Sequence, residues 1–341
     1  MTEKILFICG SLNQTKMLHQ IAEQLAPRYE CYFSPYYADG LIDRLARWGL
    51  LGNTVLGGRH QQDTLDYLHE HDLEIDWRGK KHWYDLVVTG SDLIVPKNVR
   101  WNRLVLVQEG ITEPETWLYH LVKWLKLPRW LANTATTGLS DLYDVFCVGS
   151  QGYREHFIRK GVNPAKIAVT GMPNFDHFAQ FRDNKFPYFD YALVATTPLR
   201  ETFRLDDRKR FLNECARIAN GRQLIFKLHP LENEDRARKE INSICPGALV
   251  ITEGSVDEMI ANAEVVITQL STCTFTAVAL EKEVHSYLDL AELQSLMPIQ
   301  NKGASAERIA RICRQVLHTP LPVLKAISAG FRSHPGWEQD L

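Results

Sequence analysis

The sequence contains no run of about 18 apolar residues, so no segment reads as a membrane-spanning helix. Its first apolar run, Ile5 to Cys9, is too short for a secretory signal and reads instead as a first strand. No C-x-x-C pair occurs among the seven cysteines, at 9, 31, 147, 215, 245, 273 and 313. An odd, dispersed set lying within apolar runs reads as the buried, reduced thiols of a cytosolic protein, and argues against a disulfide frame or a zinc site. H-E-x-x-H, EF-hand, P-loop and G-x-S-x-G patterns are all missing, which removes the commoner metal, NTPase and hydrolase readings. An excess of either charge is lacking too: the net charge of -2 provides no broad basic field, so nucleic acid is not expected as a partner. Solenoid-period repeats and low-complexity tracts are also absent.

What is present is an alternation of short apolar runs with amphipathic ones. At 341 residues the chain exceeds the size at which one core usually stops growing, so two domains are expected. In the first half, strand-like runs lie at 5–9, 31–34, 85–90, 103–108, 144–149 and 166–170, with helix-like segments at 15–25 and 151–160. The stretch from 40 to 77, rich in Leu, Arg and Gly, shows no clear strand. Continuous apolar strands separated by helices mean a parallel sheet covered on both faces. The pattern breaks over 171–190, read as a linker, and restarts at Tyr191. Residues 1–170 are thus expected to form one Rossmann-like domain and 191–320 a second, with 321–341 as a helical tail.

Several residues at strand ends could carry chemistry, because ligands of open α/β sheets bind outside the carboxyl ends of the strands. The run from Leu224 to Leu228 ends in Lys227-Leu228-His229-Pro230, which places His229 where its imidazole could donate to a phosphate; it could equally satisfy nearby backbone. The run from Val265 to Leu270 ends in Ser271-Thr272 ahead of a helix, a pair suited either to a phosphate or to ordinary N-capping. Thr196-Thr197-Pro198-Leu199-Arg200-Glu201 follows a third strand; Thr197 and Arg200 could contact a diphosphate, or Arg200 could be a solvated turn residue. In the first half, Gly10-Ser11 is a small-residue turn without G-x-G-x-x-G spacing. Gln108-Glu109-Gly110 puts a carboxylate at a strand end, where Glu109 could deprotonate a hydroxyl or could cap the next helix. The aromatic, basic segment 117–130 could lie at a membrane surface, line an acceptor channel or pack as core.

Taken together, K-L-H-P, V-I-T-Q-L-S-T and the following helix with Ala277, Ala279, Leu280 and Glu281 resemble the nucleotide-sugar glycosyltransferases of the GT-B class. The nearest likeness is to bacterial surface-polysaccharide enzymes, CMP-sialic acid transferases and CDP-glycerol glycerophosphotransferases. The second half is also similar to UDP-N-acetylglucosamine 2-epimerases, through Thr196 to Glu201 and Gly171-Met-Pro-Asn-Phe-Asp176. The resemblance implies two Rossmann-like domains facing a cleft, a donor-phosphate site at His229, Ser271 and Thr272, with Lys227 beside it as a further nucleotide-binding candidate, and an acidic base at Glu109. It implies no metal and no cofactor. The implied partners are a nucleotide-sugar donor and a saccharide or lipid-linked acceptor, met in the cytoplasm or at the inner membrane face. Position 108 departs from the family's acidic pair in being Gln, and Ser271 to Thr276 lacks the paired carboxylates of the epimerase signature. Transfer is therefore favoured over epimerisation, and a non-catalytic nucleotide-binding protein is the remaining alternative.

Overall fold

The structure, a computed structural model, describes residues 2–40, 43–44, 48, 58–112, 115–125, 127–201 and 205–329. They divide into two compact units, one of residues 1–176 with 298–341 and the other of 177–297.

The first unit holds a sheet of β1 (Lys4–Ile8), β2 (Glu30–Ser34), β3 (Leu86–Thr89), β4 (Arg103–Val107), β5 (Val145–Val148) and β6 (Ile167–Val169), in the order β2-β1-β3-β4-β5-β6. Every pairing is parallel. Strands β3 and β5 are buried along their whole length and β4 from Leu104 to Val107, which is why they read as unbroken apolar runs rather than alternating ones. Helix α1 (Leu12–Glu23) follows β1, and α2 (Gly58–Glu70) follows β2. The second falls in the stretch where the sequence offered no strand; its apolar stripe is thin, and mostly polar residues surround Leu65 and Leu68. After β4 come α3 (Trp117–Leu125) and a 3-10 turn at Arg129–Thr136. Helix α4 (Gln151–Lys160) leads into β6; Ser150 caps its start, and Gly161, at φ +107, ends it in the left-handed region.

The second unit has β7 (Ala192–Ala195), α5 (Arg208–Ala219), β8 (Leu224–Lys227), α6 (Glu234–Ile244), β9 (Leu249–Ile251), α7 (Val256–Asn262), β10 (Val265–Thr268), α8 (Cys273–Ala279), β11 (Glu283–His285) and α9 (Leu290–Leu296). Its strands run in the order β11-β10-β7-β8-β9, again all parallel.

The chain then returns to the first unit. Helices α10 (Ser305–His318) and α11 (Leu321–Ser328) place Ala306, Ile309, Cys313, Val316 and Leu324 in one core with Ile5, Phe7, Met17, Val88 and Val105. The sequence reading ran the second domain on to residue 320; an amphipathic pattern shows that a helix buries one face, without saying against which sheet. The return is anchored by the segment Thr170 to Asp176. Asp176 Oδ2 accepts the Ser305 N–H at 2.8 Å, capping α10, and Thr170 O accepts from Asn301 at 3.1 Å. Gly171 sits at φ +87 with Ser305 Oγ only 2.1 Å from where a Cβ would stand, so both conformation and space call for glycine there. All seven cysteines are free thiols.

Candidate functional site

A strand order that reverses direction opens a crevice at the carboxyl ends of the two strands flanking the switch. In the first unit that point lies between β1 and β3, and in the second between β7 and β10. Both places hold residues picked out from the sequence.

At the first, β1 runs out through Gly10 to Ser11, whose extended backbone and hydroxyl cap α1 by accepting the Gln14 N–H at 3.2 Å. Ser11 Oγ also donates to Glu109 Oε1 at 2.7 Å, reaching the end of β4 across the intervening β3. Gln14 Nε2 donates to the other carboxylate oxygen at 2.5 Å. Space for that amide comes from two glycines: a Cβ on Gly10 would lie 1.9 Å from Gln14 Oε1, and one on Gly90 3.1 Å from Gln14 Cγ. Burial pushes the Glu109 carboxyl above its ordinary range, while the Gln14 and Ser11 bonds oppose it. Buried Tyr37 stands close enough for the Glu109 charge to add to the burial that raises its phenol. Gln108 faces elsewhere: its Oε1 accepts the Gly149 N–H at 2.9 Å and its Nε2 donates to Gly110 O at 3.0 Å. An acid there would lack the amide donor, so glutamine at 108 is accounted for by the join it makes between β4 and β5. Asp92 is wholly buried against Arg129 at 2.9 Å and the N–H groups of Gly138 and Ser140, which marks it as structural.

At the second switch point, Thr197 Oγ1 accepts the Leu270 N–H at 3.4 Å, tying the end of β7 to the end of β10 just before Ser271. Ser271 Oγ accepts the Cys273 N–H at 3.3 Å and its carbonyl the Thr274 N–H at 3.2 Å, while Thr272 is exposed and makes no side-chain cap. Beyond β8, His229 N–H donates to Thr196 Oγ1 at 3.0 Å and to Glu232 Oε2 at 3.1 Å. His229 Nδ1 accepts the Leu231 N–H at 3.1 Å, which in the neutral ring leaves the proton on Nε2. Lys227 Nζ donates to Thr252 O at 2.5 Å, and burial pulls its ammonium below the usual range.

Sequence reasoning missed three members of these clusters. Glu232 is the hub of the second: it bonds Thr196 and the His229 backbone and stands 3.2 Å from the buried Arg208 guanidinium. Gln269, inside the run that drew attention, donates to Asp206 at 3.2 Å and keeps a buried Oε1 without a hydrogen-bond partner among the described residues. Gln14 lies four residues past Gly10, and its partner lies 95 residues away in sequence. Arg200 is brought into the second cluster already engaged, by both oxygens of Glu240 at 2.8 Å and by Asp206 at 3.3 Å.

The segment 117–130 divides its residues by face. Tyr119 and Val122 are buried with Ala132 and Ala135 in a small cluster of their own, while Trp117 and Trp124 are 75% and 79% exposed. Among the described residues, no group of three His, Cys, Asp or Glu side chains could hold a metal ion, and no helix is long and apolar enough to cross a membrane.

No family model and no curated protein matches the sequence. Solved structures do match over nearly the whole chain. The MnaA–UDP co-structure from S. aureus aligns at TM-score 0.59 and 12% identity, over 92% of this chain and 97% of that one. A putative UDP-N-acetylglucosamine 2-epimerase from Listeria monocytogenes aligns at TM-score 0.58 and 14% identity, over 94% and 99%. The wall teichoic acid polymerase TagF, solved with CDPG, aligns at TM-score 0.50 and 11% identity, over 93% and 89%. Two all-parallel α/β units with these likenesses define the GT-B fold. Among proteins of that fold, the chain is similar both to UDP-N-acetylglucosamine 2-epimerases and to a wall-polymer polymerase.

Proposed function

We propose that this protein is a glycosyltransferase, or a transferase of a related polyol phosphate, that uses a nucleotide-activated donor in the synthesis of a surface polysaccharide. The observation that carries this reading is Glu109: a part-buried carboxylate at a switch-point strand end, its pKa raised, held by Ser11 and Gln14 and by no cation among the described residues. A carboxylate made more basic by burial suits a single proton abstraction. Epimerisation through removal and return of protons asks for more than one such group, and Asp92, a carboxylate just past the end of β3, is locked to Arg129 and two backbone N–H groups.

In the reaction, the acceptor hydroxyl attacks the activated carbon or phosphorus, Glu109 takes its proton, and the bond to the leaving nucleotide phosphate breaks. In the second unit, His229 receives the negative charge of that phosphate, with Lys227, Ser271, Thr272 and Thr197 as further polar contacts; in the first unit, Gly10-Ser11 leaves the backbone at the end of β1 open to close approach by a ligand. Arg200 is held by Glu240 and Asp206. The protein works beside a membrane, which it meets through Trp117 and Trp124.

The second reading, a UDP-N-acetylglucosamine 2-epimerase-like isomerase or hydrolase, draws support from the likeness to MnaA and its relatives. One set of incubations separates the two. CMP-, CDP-, UDP- and GDP-activated donors are screened by thermal shift, since a ligand selective for the native state raises apparent stability. The stabilising donor is then followed with and without glycan acceptors. Transfer predicts donor consumption that depends on an acceptor and a loss of about a hundredfold or more in His229→Ala. Consumption at the same rate without acceptor establishes the isomerase or hydrolase reading, and nucleotide binding with no turnover removes both.

A further inference from the structure

The first unit contains a pocket of about 780 Å³ whose lining includes neither Ser11 nor Glu109. Its volume lies within the roughly 300–1,000 Å³ range of small-molecule sites. Its lining is apolar in part, through Leu93, Val122, Leu127, Leu139 and Leu142. It is also cationic: Lys97, Arg100, Lys123, Arg129 and Lys160 line the pocket, and Asp39 is the one carboxylate residue in the lining among the described residues. That excess is opposite in sign to the net charge of the chain, -2.

The cations differ in how much they have left to offer. Arg129 is neutralised by Asp92 at 2.9 Å, and the Lys160 ammonium is engaged by Ala135 O and lies over the Tyr119 ring at 5.3 Å. Among the described residues, Arg100 donates from Nε alone, to Val95 O at 2.9 Å, and Lys123 Nζ makes one hydrogen bond, to Lys160 O at 3.1 Å. The Lys97 ammonium has no partner among the described residues; its backbone N–H meets Asp39 at 3.0 Å. Among the described residues, Lys97, Arg100 and Lys123 therefore retain unused donors in a pocket that is also lined by apolar side chains. An anion alone would waste the apolar side, and an apolar ligand alone would leave the cations unanswered.

We propose that this pocket binds an anionic amphiphile, a membrane lipid whose phosphate is met by Lys97, Arg100 and Lys123 and whose chain lies along Leu93, Val122, Leu127, Leu139 and Leu142. The choice of a membrane source follows from α3, which sends Val122 and Lys123 into the pocket wall and holds Trp117 and Trp124 outward, seven residues apart and so on one helical stripe. Exposed tryptophans beside lysines suit the level of lipid headgroups. As a statement about the acceptor, namely that it ends in a phosphate on an apolar chain, the inference rests on the transfer reading; as a binding site it does not.

The test is calorimetric titration of the full chain, without donor, with dodecyl phosphate below its critical micelle concentration, and with dodecyl maltoside and inorganic phosphate as comparators. Dodecyl phosphate is expected to bind about tenfold or more tightly than either, and the exposed double variant Lys97→Glu/Arg100→Glu to lose about tenfold or more of that affinity, as the loss of two charge-assisted contacts implies. Leu139→Trp, which fills the apolar side, should lose it too. Unfolding temperature and nucleotide response should be unchanged in the double variant. Equal binding of dodecyl maltoside would reduce the site to apolar contact, equal binding of inorganic phosphate would reduce it to an anion site, and unchanged affinity in the double variant would remove the pocket as the site; each overturns the proposal. Co-sedimentation with phosphatidic acid vesicles, but not with phosphatidylcholine vesicles, is the outcome expected for a membrane source, and equal co-sedimentation overturns it. None of these readouts needs turnover, so their failure leaves the transfer reading standing, and failure of transfer leaves them intact.

Discussion

Ser11 donates its hydroxyl to Glu109 at 2.7 Å while the same oxygen accepts the Gln14 N–H at 3.2 Å, so one side chain both starts a helix and holds the carboxylate at the end of β4. Hydrogen bonds to a carboxylate favour its charged form, and this one opposes the burial that pushes the Glu109 carboxyl up. Ser11→Ala should therefore raise the Glu109 pKa further and move the acid limb of the kcat/KM profile to higher pH. Ser11→Thr, which keeps the hydroxyl, should leave the limb in place. Loss of the cap should also cost about 1 kcal/mol of stability. A profile in Ser11→Ala with an unmoved acid limb would detach Glu109 from the rate.

The same raised pKa has a consequence for stability. Glu109 holds its proton to higher pH in the folded protein than in the unfolded chain, whose glutamates titrate near about 4.3. Its contribution is thus fully present below that value and is lost as pH rises through the folded pKa. Glu109→Gln, neutral at every pH, should then have a higher Tm than the parent at pH 7, with the gap closing as pH falls toward the unfolded value. Transfer by this variant should fall by about a hundredfold or more, the usual worth of a positioned base. Scanning calorimetry at several pH values alongside rate assays checks both; a lower Tm at pH 7 would show that the charge stabilises the fold instead.

Glu232 is the more structural of the two central carboxylates. It gathers Thr196, the His229 N–H and Arg208, whose guanidinium is buried and otherwise has Glu240 at 3.8 Å as its charged neighbour among the described residues. Removing one partner of a buried pair strands the other, at a cost of about 3–5 kcal/mol. Glu232→Ala should show a loss of that order in urea unfolding. Glu232→Gln, which can still accept from His229, should lose less stability and retain part of the donor response. If Glu232→Ala unfolds like the parent, His229 is held by something other than this knot.

The two parallel sheets were legible because strands buried on both faces leave uninterrupted apolar runs, as from Leu86 to Thr89 or from Val265 to Thr268. Strand ends were legible for the same reason, which is how Glu109, His229 and Ser271 could be picked out. What lay beyond reach was long-range pairing. The run from Ser305 to His318 declares itself a helix through Ile309, Ile312 and Val316, yet nothing local says that its buried face returns to the first sheet. Gln14 and Glu232 are ordinary surface residue types until the fold brings Glu109 and Arg208 to them. Leu321 to Ser328, read as a tail, has Leu324 and Ile327 buried, and Asp144, whose carboxylate accepts from Lys325 at 2.5 Å, gave no sign in the sequence of that role. Gln108 looked like a defect in an acidic pair, and only its bonds to Gly149 and Gly110 show what the amide does.

The outward face of α3 supplies the last prediction. Trp117 and Trp124 are 75% and 79% exposed, and Leu125, at the end of the same helix, is 50% exposed. Water is a poor environment for so much aromatic surface, whereas the headgroup level of a bilayer accepts an indole ring and its N–H together. The inner face of the helix is committed separately, through Tyr119 and Val122 against Ala132 and Ala135, so the outer face can change without unfolding the segment. Trp117→Ser/Trp124→Ser should leave Tm within about 2 °C of the parent, as surface substitutions typically do. Partitioning into mixed phosphatidylcholine and phosphatidylglycerol vesicles should weaken about tenfold or more, since burying one large apolar side chain is worth roughly 1.5–3 kcal/mol. Dodecyl phosphate binding, which uses the pocket and not the tryptophans, should be unchanged. Flotation of the double variant with vesicles to the same extent as the parent would place the membrane-facing surface elsewhere on the chain.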